Sequence, residues 1–388
     1  MGRARLLVAA VVIACGANSF AADWSALDRY QATMTRKEFD DLLARVYCPS
    51  GALTNYLAYS TNSVTVFSTP EKTNSLFTLR FAISSTSSNL HPLFKRIALD
   101  PGHIGGEWAR MEERFFQRGS DRPVQEAVLN VTAAQLLKAH LESMGVQVFF
   151  TKENFWPVTD KRPQDFHAQA VQDITATTQF DTYPPLEREA ARADAINKRA
   201  EILFYRNAEI AARAKLLNEK INPDLTICMH FNAAPWDECQ NLVDDNRLVV
   251  FVSGDYLPSE LKDDEQKLRL FSKLLDRSHY VELRVAEAVA TAMARATKLP
   301  PVEYGPGSGA IHVGDNPYVF ARNLAANRLV NGPVVFLEPY YMNNRSVYQR
   351  IQLGDYEGTR DVNGAPMKSI FREYADAVAA GLTNLISR

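Results

Sequence analysis

The 388-residue sequence predicts an α/β fold, a mostly parallel sheet flanked by helices on both faces, with a small N-terminal α+β module ahead of it. Three observations predict it. From Arg96 onward, short apolar runs alternate with long stretches of helical periodicity, the pattern of strand–helix–strand units. Those runs are continuously apolar rather than alternating, as strands covered on both faces are. Residues 22–90 differ, pairing one short amphipathic helix with alternating β-rich runs.

The first segment precedes that fold. Arg3 and Arg5 lead into the nine-residue apolar run Leu6 to Ala14, too short to span a bilayer and the right size for the apolar core of a secretory signal. Residues 1–21 therefore predict export to the periplasm or cell envelope. Two exits are written in them. Ser19-Phe20-Ala21 is a small-x-small cleavage site, and Val12-Ile13-Ala14-Cys15 resembles a bacterial lipobox in which Cys15 carries a lipid anchor. The ordinary length of the stretch before Ala21 favours plain secretion.

Composition narrows the class. A chain 46% hydrophobic and 23% charged is an ordinary globular protein, and 43 Lys+Arg against 45 Asp+Glu leaves no basic footprint for nucleic acid. Removing residues 1–21 makes the chain more acidic still. The four cysteines (Cys15, Cys48, Cys228 and Cys239) form no CxxC pair, so buried thiols are expected, with one disulfide and a leftover thiol as the alternative.

In the module, Met34 to Val46 reads as a helix and Leu57 to Phe67 and Leu76 to Ser84 as β-rich runs; the Ser/Thr/Asn cluster Ser84 to Asn89 reads as a linker. Residues 95–388 then form the larger domain, with inserts near 153–205 and 237–283. Its strand candidates are Arg96 to Asp100, Val146 to Thr151, Leu225 to His230, Leu248 to Val252 and Val334 to Glu338. Glu126 to Met144 carries an apolar stripe closed by Gly145, with Pro123 near its start, and predicts a helix. Leu186 to Lys220 keeps helical spacing over roughly 50 Å, as one helix or two broken near Asn207. Asn154 to Pro185, polar and carrying four prolines, predicts an irregular surface excursion.

Position singles out two of the seven histidines. His103 falls three residues past the strand ending at Asp100, and His230 closes the strand Leu225 to Met229. Glu338 closes the run Val334 to Leu337, and Glu126 sits in the first turn of the helix after strand one. In α/β sheets the carboxyl ends of strands gather ligands and catalytic groups. Taken singly, each residue also has an ordinary structural explanation; the carboxylate of Glu126, for instance, suits a helix dipole. Together, two histidines and a carboxylate are a recurring catalytic zinc shell, and a second carboxylate is what accepts the proton of a metal-activated water. This reading makes His103, Glu126 and His230 the ligands and Glu338 the base.

At these residues the sequence resembles the zinc-dependent N-acetylmuramoyl-L-alanine amidases of bacterial cell-wall remodelling. The resemblance is carried by Ile97-Ala-Leu-Asp-Pro-Gly-His103, by Glu126 with Asn130, Leu136, Leu141 and Gly145-Val-Gln-Val-Phe-Phe-Thr151, by Arg213-Ala-Lys-Leu-Leu-Asn218 leading to Asp224-Leu-Thr-Ile-Cys-Met-His230-Phe-Asn232-Ala233, and by Gly332-Pro-Val-Val-Phe-Leu-Glu338 with Asn343-Asn344. It spans about 95 to 388. It implies one Zn2+ per chain on His103, Glu126 and His230, Glu338 handling the proton of the zinc-bound water, and hydrolysis of the muramoyl–alanine amide of peptidoglycan. Asn232 and His312, the latter in the glycine-rich loop Gly305 to Asp315, are the candidate substrate-binding residues.

Several positions depart from the family pattern. Ile104 stands where glycine is expected, with Gly105-Gly106 displaced by one, and Glu107 to Phe116 is bulky and charged. Lys152 replaces an expected arginine, and Pro339 follows Glu338. Trp108, Trp156 and Trp236 lie near motifs or inserts as candidate stacking residues, though such rings more often pack. Two rival functions are another envelope zinc peptidase acting on a different amide and a catalytically silent wall-binding protein. For the N-terminal module, wall binding, partner binding and packing on the larger domain all stay open.

Overall fold

The computed structural model describes residues 23–84, 94–180, 183–235, 241–305 and 307–386. The signal segment with Cys15, residues 85–89 of the linker, Trp236 and Cys239 lie outside the described residues. The chain divides into two compact units, Met1–Thr86 with Tyr256–Leu275, and Ser87–Asp255 with Asp276–Arg388. Part of the 237–283 insert thus belongs with the N-terminal residues.

In the first unit, β1 (Leu57–Tyr59), β2 (Ser63–Phe67) and β3 (Ser75–Arg80) form an antiparallel sheet. The inserted helix Asp264–Leu275 is integral to this unit. Phe271 packs edge-on against Trp24, and the buried Lys267 ammonium is held by Asp264 at 2.7 Å and by the carbonyls of Ser68 and Leu261. A buried ammonium is tolerated only with such partners.

The second unit is built on a seven-stranded sheet. Its strands are β4 (Arg96–Pro101), β7 (Gln147–Phe150), β8 (Leu225–Met229), β9 (Leu248–Val252), β10 (Ile311–His312), β11 (Val319–Ala321) and β12 (Val334–Pro339), in the order β10-β11-β9-β12-β8-β4-β7. A separate hairpin, β5 (Phe115–Phe116) with β6 (Val124–Gln125), lies between β4 and the first long helix. The sheet is mixed: β7, β4, β8 and β12 run parallel, whereas β9 is antiparallel to β12 and β10 to β11. The five expected strands are present. The pair β10 and β11, two and three residues long, is too short to leave a periodic signal in sequence.

Alternate residues of the central strands cover opposite faces. Ala98, Cys228, Phe251, Val334 and Phe336 meet Ala214, Leu217 and Ile221 of one helical arm. The helix Ile370–Ile386 packs on both Glu126–Ser143 and Ser278–Thr297, and these two lie against the strands. Gly381 sits where Ile370–Ile386 crosses Ser278–Thr297, and a Cβ there would meet the backbone of Val289 at 2.6 Å. The expected helix over Leu186 to Lys220 is continuous from Pro185 to Ile221, but two wide π-helical turns, Leu203–Ala208 and Leu217–Ile221, interrupt its spacing. The first contains Asn207, where the periodicity faltered.

The 154–185 stretch is a correction. It holds the helix His167–Thr177, whose Ala170 and Ile174 pack on Ile196, Ala200 and Leu203. The apolar stripe there is only two buried residues wide, and the flanking prolines mask it. Among the described residues, Cys48 and Cys228 are buried thiols in no disulfide, as expected. No helix among the described residues is long and apolar enough to cross a membrane.

Candidate metal centre

Strand register brings the site together. Pro101 of β4 and Leu337 of β12 both pair with Met229 of β8, so the residues that follow leave the sheet at one edge. The His230 amide donates to the Leu337 carbonyl at 3.1 Å, and the Gly102 amide to that of Met229 at 2.9 Å. Glu126 arrives from the other direction. The β5–β6 hairpin returns the chain to the same edge, where Glu126 opens its helix and its amide donates to the Arg114 carbonyl.

His103, Glu126 and His230 each offer a ligand atom, all within 4.8 Å of one another. Glu126 lies between the rings: Oε2 is 3.3 Å from His103 Nε2 and Oε1 is 2.9 Å from His230 Nδ1. Ligands about 2.0–2.1 Å from a tetrahedral zinc stand about 3.3 Å apart, so the two histidines and one carboxylate fit such an ion. Glu126 is 2% exposed; burial opposes its charge, but His103, His230 and Arg114 outweigh it and hold the carboxyl below its ordinary value. Burial pushes His103 well below the imidazole range, favouring the neutral, ligating form.

Beside the cluster lies a cleft of about 310 Å³ lined by His103, Arg114, Glu126, Phe231, Asn232, Glu338 and the loop Ala233, Ala234 and Pro235. Burial pushes the Glu338 carboxyl up to about 7. Its value is thereby matched to proton transfer near neutrality. Asn232 is fixed by its amide to the Pro339 carbonyl and by its carbonyl to the Met342 amide. His312 does not join the site. It is exposed on edge strand β10, with Nε2 3.0 Å from the Asn316 carbonyl oxygen.

The departures noted in sequence are where the structure adds most. The bulky segment after His103 supplies Glu112, whose Oε2 is 2.7 Å from His103 Nδ1, and Arg114, whose Nε donates to Glu126 Oε2 at 3.0 Å. Sequence reasoning missed both. The signal was weak: residues 104–125 link two side chains that meet, but the same connection carries exposed charges such as Glu107, Arg110 and Glu113, and only the fold separates them from Glu112 and Arg114.

His103 itself adopts φ +59°, uncommon for a non-glycine residue. Its carbonyl accepts from Lys152 Nζ and from Arg213 Nη2 at 3.2 Å. Behind them, Arg213 pairs with Glu209 at 2.8 Å and Asp100 at 3.5 Å, and Thr151 donates to Asp100 at 2.5 Å. Burial pushes Lys152 down to about 7; for Arg213 burial is outweighed by Asp100 and Glu209, which raise it. Glu209 also accepts from the amides of Val158 and Thr159, tying the 153–162 loop to the same cluster. Of the candidate stacking residues, Trp108 packs edge-on against Phe204, whereas Trp156 is about half exposed and lies beside Phe155.

No family model and no curated protein matches the sequence. Among solved structures, the chain is similar to the apo form of the N-acetylmuramyl-L-alanine amidase Ami1 from Mycobacterium abscessus, at 15% identity over 76% of this chain and 99% of that one, with a TM-score of 0.39. Other matches are the CwlD amidase of Clostridioides difficile in complex with the GerS lipoprotein (14%, 76% and 98%, TM-score 0.40) and the N-acetylmuramoyl-L-alanine amidase AmiC2 of Nostoc punctiforme (14%, 76% and 97%, TM-score 0.38).

Proposed function

We propose that this chain is an exported zinc-dependent hydrolase that cleaves the amide joining N-acetylmuramic acid to L-alanine in peptidoglycan. The observation that carries the reading is the meeting, in one cleft, of a two-histidine, one-carboxylate cluster and a separate carboxylate whose affinity for a proton is raised to near neutrality. The four motifs that resemble the amidases converge on that cleft.

His103, Glu126 and His230 hold the metal, one zinc per chain. A zinc ion there supplies Lewis acidity, polarising the amide carbonyl and acidifying a water. Glu338 takes up the proton lost by the attacking water and passes it to the departing L-alanine amine, a relay suited to a carboxyl that titrates near 7. Arg114, on the cleft wall, aligns Glu126 through Oε2 and, after His103 and His230, adds to what keeps it ionised. Asn232 presents a hydrogen-bonding wall to the substrate beside Glu338. Residues 1–21 direct export, by cleavage after Ala21 or by lipidation at Cys15.

Digestion of purified sacculi, with mass analysis of the products, tests this. Intact stem peptides with a free L-alanine amino terminus are expected, and cleavage within the stem would establish a peptidase instead. Glu338→Gln is expected to retain zinc and lose turnover; full activity in that variant would remove the base assignment.

A further inference from the structure

We infer that Glu112 is a positioning residue of the metal centre, its carboxylate fixing the His103 ring so that Nδ1 faces Glu112 and Nε2 faces Glu126 and His230. The inference rests on the metal-binding reading of those three residues. His103 is the ligand that secondary structure does not hold, because it lies past the end of β4 in a left-handed conformation. A ring there can turn about two side-chain torsions, and only one orientation points Nε2 inward.

Glu112 removes that freedom. Its Oε2 lies 2.7 Å from His103 Nδ1 and accepts from the Ile104 amide at 3.2 Å, so one oxygen ties the ring to the backbone beside it. His103 Nε2 lies 3.3 Å from Glu126 Oε2; a ring that ligates a metal through Nε2 carries its proton on Nδ1, the nitrogen that faces Glu112. Glu112 is 6% exposed at the end of the short helix Trp108–Met111, whose formation requires no carboxylate at that position. A buried carboxylate is costly unless it is paired. Here the pairing group is the ligand ring. Ligating histidines elsewhere are oriented in this way by a carboxylate on the second nitrogen, and losing that partner typically weakens metal binding by about 10–100-fold.

The test is zinc affinity, measured by competition with a chromophoric chelator on the wild-type chain, Glu112→Ala and Glu112→Gln. The alanine variant is expected to bind about 10–100-fold more weakly. The glutamine variant keeps an acceptor of the same reach without the charge and should fall between. Wild-type affinity in both variants overturns the inference, even if their thermal midpoints drop. Should the alanine variant fail to fold, glutamine decides: several-fold weaker binding supports the inference, and binding within twofold of wild type overturns it.

Imidazole nitrogen shifts of the metal-free protein give a readout that needs no zinc. His103 is expected as the Nδ1–H tautomer in the wild type and as a mixture in Glu112→Ala. An unchanged tautomer overturns the inference. If the wild-type chain takes up no zinc, the metal-centre reading fails while the tautomer measurement still reports on Glu112.

Discussion

The two histidines of the site are held by opposite means. His230 is held by packing: its ring stacks on Phe336 at 4.2 Å and 19°, and its backbone is part of the β8–β12 ladder. Its carbonyl accepts from the buried Tyr374 hydroxyl at 3.2 Å. His103 is held by charge: Lys152 and Arg213 grip its carbonyl, Glu112 its ring, and Asp100 and Glu209 neutralise the cations behind. A residue at a strand end inherits its position from the sheet, while one on the loop beyond has to be fixed by side chains.

The largest expected effect comes from intrusion on the packed side. A Cβ on Gly102 would lie 1.9 Å from the His230 ring, so Gly102→Ala must drive the imidazole out of place. That variant, like His230→Ala, is expected to lose stoichiometric zinc and all lytic activity, as read by metal analysis of the purified protein. A Gly102→Ala chain with one tight zinc would show that the packed side is not rigid.

Next is the charged side. Arg213→Ala leaves Asp100 and Glu209 buried without their cation, and breaking a buried pair from one side costs about 3–5 kcal/mol. Urea denaturation should show that loss, together with freer proteolysis of the 153–162 loop, whose amides are tied to Glu209. Double replacement of Arg213 and Glu209 by similar-sized apolar residues should recover part of the stability without recovering zinc affinity. It removes the Glu209 charge while leaving that of Asp100, and it does not restore the hold on the His103 carbonyl.

This contrast also explains what could be read from sequence. His230, Glu338 and the strand parts of the site were visible because an apolar run ending in a functional residue type is a local pattern. His103 was visible for the same reason, three residues beyond Asp100. The supports of His103 were not, because Glu112, Lys152, Glu209 and Arg213 come from four segments with no shared spacing and meet only once the sheet order is known. Lys152 and the Glu107 to Phe116 stretch registered only as departures from a pattern, although they form the charged half of the site. In the fold, continuous apolar strands were readable, whereas the short β10 and β11 and the His167–Thr177 helix were not, each burying too few side chains to leave a period.

A third and smaller effect tests Glu338, which lines the cleft beside the cluster. Its carboxyl is raised from 4.5 to about 7 by burial, so in the metal-free chain it contributes stability that is complete below its ordinary value and lost as pH rises through about 7. Glu338→Gln should flatten that slope. The expected result is a metal-free variant more stable than wild type at pH 8 and no more stable at pH 4, measured as thermal midpoints. A slope unchanged by the substitution would mean that Glu338 is solvated and that some other group titrates there.

The smallest effect sharpens the comparison from the packed side. Phe336→Leu keeps an apolar side chain in the core but removes the flat surface on which His230 rests. Stacked aromatic pairs contribute about 0.5–1.5 kcal/mol beyond the area they bury. If ring orientation is what the stack supplies, zinc affinity should fall by roughly fivefold, the equivalent of about 1 kcal/mol. That loss should be the same at low and high ionic strength, because no charge is involved. His230 also keeps its backbone ladder and its bond to Glu126, so the effect should stay below that of Glu112→Ala, where His103 loses the carboxylate on its Nδ1. Zinc titrations of the two variants side by side decide the order. A Phe336→Leu loss as large as that of Glu112→Ala would mean that stacking, and not the strand ladder, is what positions His230.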